Sequence, residues 1–435
     1  MSALTLAYRG PAAPLPAAAR AALFARATMT DDAVRTRVAE QLAAVRAEGD
    51  DALRRFASAF DGVNLLTLEV PRAEWMRALE AIDPALRAVL ERAARNLREV
   101  HAAFRPVMRE MTTADGVVIG RRPDPLTRVG VYAPGGRAAY PSSVLMGAVP
   151  ARVAGVGEVI LCTPPGRDGR PSDVVLAAAA VAGVDRVFAV GGAGAVGAMA
   201  FGTTTISAVD RIVGPGNAYV AEAKAQVAGM VAIDSPAGPS ELLVLADDSA
   251  DPAMVARELL AQAEHDPVAA VVLVTDSDAL EAATLTALEA LVADTPRATI
   301  VRAALAARGA MVRVGSLDEG VAFSNAWAPE HLLLAVRPAR EDACLDALRH
   351  AGTIFLGAAP SVAFGDYLTG ANHVLPTGGA ARAFSGLSTD DFVRWTTYQR
   401  IPRAAAAALA GDVGRFADAE GLPGHAAAAR AWAGR

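Results

Sequence analysis

Strand-like apolar runs alternate with helical stretches from residue 121 to residue 377, and this alternation constrains the fold more than any other feature. In the first half, strands are predicted at 129–132, 159–162, 187–190 and 212–213, and helices at 142–155 and 172–182. In the second half, strands are predicted at 242–246, 270–274, 298–301 and 311–314, and helices at 252–264 and 278–293. Such alternation is typical of parallel sheets, because each crossover helix returns the chain to the same sheet edge. The sequence therefore predicts an α/β fold with two similar open, largely parallel-sheet, Rossmann-like domains.

Four regions follow one another along the chain. Residues 1–120 are predicted to form a helical N-terminal region, because apolar and charged residues between positions 30 and 109 recur at helical spacing. Residues 121–239 and 240–377 are the two predicted Rossmann-like domains, and residues 378–435 are predicted to form a helical C-terminal tail. No shorter internal repeat is apparent.

Composition and charge exclude several classes of protein. Hydrophobic residues make up 53% and charged residues 20% of the 435 residues, which is typical of a globular chain with substantial cores. The net charge of -6 provides no basic surface for nucleic acid. Cys162 and Cys344 are too few for a disulfide framework or a cysteine-built zinc site. The sequence shows neither a membrane-spanning run nor a secretory leader pattern, so we expect a cytoplasmic protein that acts on small molecules.

A glycine motif, Gly192-Ala-Gly194-Ala-Val-Gly197, directly follows the strand predicted at 187–190 and enters a helix. With Asp210 further along the chain, it has the form of a dinucleotide-binding fingerprint, in which glycines let the backbone approach a pyrophosphate. The chain is rich in glycine and alanine, so a chance match is an equal alternative. The motif alone leaves open whether this loop faces a nucleotide cofactor.

Two polar pairs in the second half are candidates for chemistry. Gln262 and His265 are three residues apart at the end of a predicted helix, so both side chains lie on one face. They form half of a metal site, or His265 caps the helix terminus. Glu330 and His331 follow Pro329 in a predicted turn, where a carboxylate and an imidazole supply a base near neutral pH. The alternative for this second pair is a surface glutamate beside a capping histidine.

Further candidate ligands are found closer to the C-terminus. Asp366 offers a hard oxygen ligand at the end of a predicted extended segment, and His373 lies shortly after it. His425 is near the C-terminus, where a histidine is usually solvated. His101 lies on a predicted helix and is interpreted as a surface or packing residue.

Two stretches of the chain resemble the sequence of a known family. The pattern I-D-x-x-A-G-P-S-E at residues 233–241, followed by A-Q-A-E-H at residues 261–265, resembles the signature of histidinol dehydrogenases. The resemblance covers nearly the whole chain, from residue 30 to residue 430. It implies a zinc- and NAD-dependent enzyme that oxidises L-histidinol to L-histidine through the aldehyde, at the end of histidine biosynthesis. It also implies a homodimer in which each active site is shared between the subunits.

The resemblance implies roles for individual residues. The implied zinc ligands are Gln262, His265, Asp366 and, from the tail of the other subunit, His425. The implied catalytic residues are Glu330 and His331. The implied substrate contacts are Ser240, Gln262, His265, His331, Asp366, Glu420 and His425. The implied NAD contacts are Tyr132, Gly194 and Asn217, for which the alternatives are a strand-end aromatic residue at 132 and a left-handed turn at 217.

The implied mechanism and three departures complete the hypothesis. Zinc would orient the substrate, His331 would take the alcohol proton as hydride passes to NAD, and Glu330 would help to activate the water that attacks the aldehyde. Glu258, Gly147 and Gly194 stand where the family usually has Asp, Asn and Gln, so the glycine fingerprint is not a family feature. The two glycines leave open a paralogous polyol dehydrogenase, for example one acting on a sulfonated propanediol. A zinc hydrolase and a non-enzymatic nucleotide-binding module are further alternatives.

Overall fold

The computed structural model describes residues 4–26, 31–135, 139–235, 238–357 and 359–434. The strands are β1 (Tyr8–Pro11), β2 (Glu69–Val70), β3 (Arg109–Thr112), β4 (Val118–Pro125), β5 (Arg128–Tyr132), β6 (Glu158–Thr163), β7 (Arg186–Ala189), β8 (Arg211–Val213), β9 (Ala232–Ile233), β10 (Glu241–Ala246), β11 (Ala270–Thr275), β12 (Gly309–Arg313), β13 (His331–Ala335), β14 (Thr353–Phe355) and β15 (Val393–Arg400). The helices are α1 (Ala17–Phe24), α2 (Asp32–Glu48), α3 (Asp50–Phe56), α4 (Arg72–Ala81), α5 (Pro84–Ala103), α6 (Pro141–Ala154), α7 (Asp173–Ala182), α8 (Gly192–Phe201), α9 (Ala218–Val227), α10 (Pro252–Ala263), α11 (Asp278–Asp294), α12 (Ala298–Arg308), α13 (Leu317–Trp327), α14 (Pro338–Ala347), α15 (Val362–Tyr367), α16 (Arg403–Ala419) and α17 (Pro423–Arg430).

Three predicted features extend beyond the described residues. The helical spacing of the N-terminal region was predicted from residue 30, and the signature stretch at 233–241 includes Pro236 and Ala237. These three residues lie outside the described ranges, and so does Arg435 at the end of the predicted tail.

Two six-stranded sheets share one strand order. The first sheet has the order β2-β7-β6-β5-β8-β9 and the second has the order β1-β12-β11-β10-β13-β14. β2 pairs antiparallel with β7, and the other neighbours in both sheets pair in parallel. In each sheet five consecutive strands lie in the order third, second, first, fourth and fifth, which is a doubly wound arrangement. The prediction of two similar, open, largely parallel Rossmann-like units is confirmed.

The N-terminal region contributes to both units. β1 adds a parallel edge strand beside β12, and Leu23 on α1 packs into the same core, so this segment belongs with the second sheet. Helices α2 to α5 instead pack on the first sheet. The region predicted as helical also contains β1, β2, β3 and the start of β4, which the sequence pattern missed. β1 carries Gly10 and Pro11, two residue types that are depleted in strands.

The C-terminal region contains a strand as well as helices. β15 pairs antiparallel with β4, and β4 pairs with β3, which makes a small third sheet. α16 and α17 then pack against each other, where Gly414 leaves room for the side chain of Arg430 and Arg430 forms an ion pair with Asp418. The predicted helical tail therefore consists of helices from Arg403 to Arg430. The prediction missed β15, which precedes these helices.

The sequence at the start of the second unit explains β10 and α10. β10 is a run of six buried residues, as expected for a strand with helices on both faces. Asp251 caps α10, because its side chain accepts a 2.8 Å hydrogen bond from the amide of Ala253, and Pro252 occupies the first helical position. α10 returns along the sheet and ends shortly before β11. Its last turn, with Gln262, therefore lies at the amino edge of the second sheet.

One predicted strand is a helix. Residues 298–301 form the first turn of α12 instead of a strand. Val301, Ala304 and Leu305 are buried in the core of the second unit at helical spacing. A short apolar run cannot be assigned by periodicity alone, and here the residues that follow it continue the helical pattern. The prediction for 298–301 is wrong for this reason.

Both cysteines are buried and free. Burial raises the pKa of the Cys162 thiol to about 12, in agreement with its interpretation as a small core residue. Within the described ranges, none of the helices is both long and apolar enough to cross a bilayer.

The two units meet edge to edge. The chain leaves the carboxyl end of β9 and next enters the amino end of β10, so the connection runs from the carboxyl edge of the first sheet to the amino edge of the second. The side chain of Asn372 also crosses between the units and donates a 2.8 Å hydrogen bond to the carbonyl of Met146 on α6. A ligand held between the units would face these two edges.

Candidate active site

The predicted catalytic residues, Glu330 and His331, lie at the amino end of β13, beside the amino end of β10. These strands are neighbours, with Leu242 opposite His331, so Glu241 and Glu330 come just before the paired residues at the same edge. A small pocket lies beside them, and its lining includes His331, Asp366 and His373. Doubly wound sheets usually bind ligands at the carboxyl edge. The use of the opposite edge could not be predicted from strand patterns.

Glu241 holds both members of the predicted catalytic pair. Its backbone amide donates a 2.7 Å hydrogen bond to Oε2 of Glu330, and its carbonyl oxygen lies 3.1 Å from Nδ1 of His331. A carbonyl oxygen only accepts, so Nδ1 carries the hydrogen and donates it. In a neutral ring, Nε2 is then the atom that accepts a proton. Nδ1 also lies 3.4 Å from Oε2 of Glu330, so the structure brings the two side chains together.

The turn before this pair is strained. Ala328 has a φ of 54°, and among the described residues it is the non-glycine residue in the left-handed region. α13 ends here, where the amide of Ala328 donates a 2.7 Å hydrogen bond to Ser324 and Pro329 follows. His331 was predicted to lie in the turn, and this prediction is wrong. It is the first residue of β13, because the apolar run after it is buried and forms the strand. Strain of this kind is often found at functional sites.

Asp366 lies on the short helix α15 and not at the end of an extended segment as predicted. The first amide of this helix, from Val362, donates a 3.1 Å hydrogen bond to Oε2 of Glu258 on α10. Oδ1 of Asp366 then lies 3.4 Å from Nε2 of His331. α10 therefore carries Gln262 and, through Glu258, also positions the helix of Asp366.

A glycine next to Asp366 is required by close packing. A Cβ atom on Gly365 would lie 2.4 Å from Cε1 of Phe355, so a larger residue would displace this ring. The ring of Phe355 in turn stacks on the imidazole of His331, with 6.0 Å between the ring centroids. The packing thus restrains one face of the imidazole.

The charges around His331 govern its protonation. Burial opposes a charged imidazole, but Glu330 and Asp366 outweigh this effect and raise the pKa of His331 to about 10. Burial also opposes ionisation of Asp366, but His331, with smaller contributions from His373 and His265, holds the pKa of this carboxyl below its usual value. The two carboxylates therefore favour the charged imidazolium. A general base needs the neutral form, so the effect of these carboxylates has to be reduced before His331 accepts a proton.

Gln262 and His265 lie around the end of α10. Gln262 is buried in the last turn, and its side-chain Nε2 has no hydrogen-bond partner. His265 directly follows the residue that ends the helix and is exposed. The end of α10 is capped by Arg297, whose Nε donates a 2.9 Å hydrogen bond to the carbonyl of Glu264. The helix therefore has a cationic cap other than His265.

The predicted tail residues are not part of the cleft within one chain. Across the described ranges, no three His, Cys, Asp or Glu side chains are grouped so that they could hold a metal. His425 lies on α17 and Glu420 just after α16, and both are exposed. Within one chain the structure brings Asp366 against His331, while Gln262 and His265 lie at the end of α10.

Ser240 and His373 border the cleft in different ways. The carbonyl of Ser240 accepts a 3.1 Å hydrogen bond from Ala270 at the start of β11, which places Ser240 at the same sheet edge as Glu241. His373 lines the pocket, and its buried Nε2 has no hydrogen-bond partner. Burial is the main cause that lowers the pKa of His373. His373 is therefore a cleft residue as well as a part of its loop.

Comparison with known proteins decides the family. The family model described as histidinol dehydrogenase matches residues 24–432. The chain belongs to the histidinol dehydrogenase family. It is 52% identical over 409 residues to the histidinol dehydrogenase of Halobacterium salinarum, covering 94% of this chain and 95% of that protein. It is 47% identical over 402 residues to that of Xylella fastidiosa, covering 92% of each. A crystal structure of histidinol dehydrogenase from Elizabethkingia anophelis matches with a TM-score of 0.93 and 35% identity, covering 99% of this chain and 98% of that chain.

Membership of the histidinol dehydrogenase family establishes the class of reaction. The chain is an oxidoreductase that acts on a small molecule, histidinol, in histidine biosynthesis, and the family supports NAD dependence. Similarity at this level over nearly the full length does not favour the alternatives of a paralogous polyol dehydrogenase or a zinc hydrolase.

The predicted NAD contacts Tyr132 and Asn217 lie near the carboxyl ends of β5 and β8, where the strand order of the first sheet reverses. The hydroxyl of Tyr132 accepts a 3.1 Å hydrogen bond from the amide of Gly192, and burial raises its pKa to about 12. Oδ1 of Asn217 caps α9 by accepting hydrogen bonds of 3.0 and 3.2 Å from Tyr219 and Val220. Asn217 has a φ of -71°, so its alternative interpretation as a left-handed turn is wrong.

The acidic residue of the glycine fingerprint is in the wrong place for a ribose. The three glycines start α8 directly after β7, which is the predicted context. Asp210, however, precedes β8 at the amino edge of the first sheet, and its Oδ2 accepts hydrogen bonds of 2.8 and 2.9 Å from the amides of Thr127 and Arg128. A ribose-binding carboxylate has to lie at the carboxyl edge. Asp210 therefore has a structural role, and its place in the fingerprint is not supported.

Side chains pack closely against the two glycines that depart from the histidinol dehydrogenase pattern, so neither position has room for a larger residue. A Cβ atom on Gly147 in α6 would lie 2.7 Å from Cγ1 of Val131. A Cβ atom on Gly194 in α8 would lie 3.0 Å from Cδ2 of Phe56 and 3.3 Å from Cδ2 of Leu53. A glutamine at position 194 would therefore have to displace Phe56. Gly194 has no side chain, so the predicted contact with NAD could be made only by its backbone.

Three buried charged residues support the site without having been predicted to do so. Glu241 positions Glu330 and His331, Glu258 positions α15, and Arg26 forms an ion pair with Glu241. The sequence does give a signal for Glu241, because it is a charged residue at the start of an otherwise apolar, buried strand. Arg26 offers no such signal, because its partner is distant in the sequence.

Proposed function

We propose that this member of the histidinol dehydrogenase family oxidises L-histidinol to L-histidine in two NAD-linked steps at a zinc centre shared between the subunits of a homodimer. The observation that carries the proposal is the meeting of Glu330, His331 and Asp366 in one buried cleft, where each side chain lies 3.4 Å from the next. Two separate segments of the chain, the start of β13 and the helix α15, supply these residues. The cleft offers a base, a carboxylate to activate water and a ligand for a cation.

We infer that Gln262, His265 and Asp366 hold the zinc ion together with His425 of the partner subunit. Gln262 is an uncommon zinc ligand, but a buried amide without a hydrogen-bond partner is unfavourable, and rotation of the amide would turn its oxygen towards a cation. Asp366 remains ionised because its pKa is held low. When bound, the ion would supply a Lewis acid that orients the substrate.

The protein groups divide the proton transfers between them. Nδ1 of His331 donates to the carbonyl of Glu241, so Nε2 faces the cleft and takes the proton of the substrate alcohol as hydride leaves for NAD. With a cation bound at Asp366, the negative charge beside Nε2 would be reduced and the neutral imidazole of His331 would be favoured. Glu330, fixed through Oε2, uses Oε1 to activate the water that adds to the aldehyde. His331 then assists the second oxidation.

We propose that the substrate and NAD lie on opposite sides of this centre. Ser240, at the edge of the second sheet, contacts the substrate from the same chain. Glu420 of the partner subunit contacts the substrate from the tail. NAD lies along the carboxyl edge of the first sheet, against Tyr132, Asn217 and the backbone of Gly194. This assigns NAD to residues 121–239, the metal and substrate to residues 240–377 and the crossing tail to residues 378–435, with residues 1–120 as support. We place the enzyme in the cytoplasm, with no nucleic-acid or membrane partner.

The test measures NADH formation from NAD and L-histidinol. We expect two NADH per molecule of histidinol, since two hydrides leave the substrate on the way to the acid. A chelator should abolish turnover, and zinc should restore it. Absence of turnover in a zinc-loaded dimer would overturn the proposed function. One NADH per histidinol would instead overturn the two-step scheme.

A further inference from the structure

We propose that Arg26 and Glu241 are positioning residues, a buried ion pair that orients Glu330 and His331 for the reaction. The inference deepens the proposed function and rests on the roles given there to Glu330 and His331. Neither Arg26 nor the carboxylate of Glu241 touches the reacting atoms in that scheme. Their effect would act through the backbone of Glu241.

The first step of the argument is the double contact made by the backbone of Glu241. Its amide holds Oε2 of Glu330 at 2.7 Å, and its carbonyl oxygen lies 3.1 Å from Nδ1 of His331. A rotation of this one peptide segment would therefore move the carboxylate and release the imidazole together. The orientation of Glu241 consequently determines whether both groups face the cleft.

The second step is the anchoring of the Glu241 side chain. Its carboxylate is almost fully buried and forms an ion pair with Arg26, whose side chain is also buried. Its Oε1 accepts a 2.9 Å hydrogen bond from the amide of Gly378. The side chain is thus held from two directions, by the N-terminal segment and by the start of the C-terminal region. These contacts fix the residue whose backbone carries the catalytic pair.

The third step is the clamp that Arg26 makes on the strained turn. The guanidinium lies over the ring of Trp327, 3.6 Å from the ring centre, and Nη2 donates to the carbonyl of the same residue. The indole Nε1 of Trp327 donates a 2.8 Å hydrogen bond to Leu23. Trp327 directly precedes Ala328, the residue with positive φ before Pro329 and Glu330. Arg26 therefore holds both sides of the catalytic pair, the turn before it and the residue opposite it.

The fourth step is the energetic balance of the pair. Burial is the largest effect on both groups, and it lowers the pKa of Arg26 and raises the pKa of Glu241. Two buried charges lose their hydration, and apolar replacements of similar size are often as stable or more stable. Stability alone is a weak reason for such a pair. Geometry is a better reason, because Arg26 contacts the carboxylate through Nη1 and the carbonyl of Trp327 through Nη2, and its guanidinium also stacks on the indole ring.

A matched control exists at the opposite end of β10. Asp247, which follows β10 directly, has a buried carboxylate that pairs with Arg337 at 3.1 Å. This pair also links β10 to the segment after β13, but it lies at the carboxyl edge, away from the cleft. Arg337→Met should therefore affect stability without affecting the catalytic pair.

The experiment compares Arg26→Met, Arg26→Lys, the double variant Arg26→Met/Glu241→Met and Arg337→Met, each as a zinc-loaded full-length enzyme. The readouts are kcat, the KM values for histidinol and NAD, zinc content and folded fraction. We expect a kcat about 10- to 100-fold lower in the Arg26→Met enzyme with KM values nearly unchanged, because small misplacements of catalytic groups reduce turnover strongly. Arg26→Lys should lose less, and Arg337→Met should keep the wild-type kcat. Added guanidinium ion should partly restore kcat in an Arg26→Ala enzyme.

The outcomes separate this inference from the proposed function. If Arg26→Met does not fold, the double variant decides, because apolar groups in both positions remove the isolated charge. A folded double variant with wild-type kcat would overturn the inference. It would also be overturned if the loss of activity in Arg26→Met were fully explained by a lower folded fraction or a lower zinc content. Absence of histidinol oxidation in the wild-type enzyme would instead overturn the proposed function.

Discussion

Nε2 of His331 lies 3.4 Å from Oδ1 of Asp366, which joins the first residue of β13 to the short helix α15. The contact places the proton-accepting atom of the imidazole beside a carboxylate that is proposed to bind the metal. A change at either residue therefore affects both the charge on the imidazole and the binding of a cation. Glu330 approaches the same ring from its Nδ1 side, so the roles of the two carboxylates can be separated by substitution.

The first prediction separates Glu330 from His331. His331→Asn should reduce both oxidations by about 100-fold or more, because it removes the proton acceptor of each hydride transfer. Glu330→Gln should slow mainly the oxidation of the aldehyde, because its proposed role is to activate water. Single-turnover measurements that start from histidinol and from histidinal follow the two steps. A Glu330→Gln enzyme impaired only in alcohol oxidation would contradict the division of roles.

The second prediction concerns the shared site. His425→Ala and Asp366→Ala dimers should each be inactive, because each lacks a ligand in both sites. After dissociation and mixing in equal amounts, half of the dimers contain one subunit of each kind and one intact site. Activity should then approach about one quarter of the wild-type value. Mixing without recovery, although mixed dimers are detected by mass spectrometry, would show that His425 does not act across the interface.

The sequence predicted the elements with long regular patterns better than their relation to one another. Both doubly wound units were recognised because buried strands such as β10 and β11 are continuous apolar runs. β1 and β2 were missed because they are short edge strands without a clear pattern. Strand patterns also carry no information on which sheet edge forms the site, so the amino edge was not expected.

The site residues were predicted from the resemblance, and their supports were not. A motif names Glu330 and His331, but the contacts that position them come from the backbone of Glu241, and backbone hydrogen bonds do not depend on side-chain identity. Asp366 was predicted on an extended segment because the helix that carries it is short and begins at a contact with Glu258 on a distant helix. Such long-range contacts have no local signal.

The third prediction concerns the helical glycines. Gly147→Ala should destabilise the fold by about 1–3 kcal/mol, because the new Cβ atom would lie 2.7 Å from a methyl group of Val131. Gly411→Ala is the matched control on α16, where no atom beyond the adjoining residues and the backbone of the same helix lies within 4 Å of the new Cβ atom, and it should stabilise by up to about 1 kcal/mol. Denaturant unfolding measures both changes. Equal effects at the two positions would show that packing around Gly147 adapts freely.

The fourth prediction concerns Asp210. Asp210→Ala should lower the free energy of unfolding by about 1 kcal/mol, because the amides of Thr127 and Arg128 lose their acceptor. The KM for NAD and the preference for NAD over NADP should stay unchanged, because Asp210 lies at the edge away from the proposed cofactor site. Steady-state kinetics with both cofactors provide the measurement. A change in cofactor preference would restore Asp210 to the dinucleotide fingerprint.

The fifth prediction concerns His101, whose interpretation as a packing residue agrees with its burial in the last turn of α5. Burial lowers the pKa of His101 below 6.5, and its Nε2 has no hydrogen-bond partner. Above pH 6.5 the ring is neutral in the folded and the unfolded chain, so its contribution to stability is complete. As the pH falls below 6.5, the unfolded chain binds a proton first, and stability is lost until the pH has passed the pKa of the folded state.

His101→Leu should remove this dependence. Relative to the wild-type protein, the variant should become more stable as the pH is lowered from about 7.5 to about 5, by at most about 1.4 kcal/mol per pH unit. Phe104→Leu, a change at an exposed and uncharged position just after α5, should shift the free energy of unfolding equally at both pH values. Denaturant unfolding at the two pH values gives the comparison. A difference between His101→Leu and wild type that does not depend on pH would mean that the folded protein does not hold this imidazole in its neutral form.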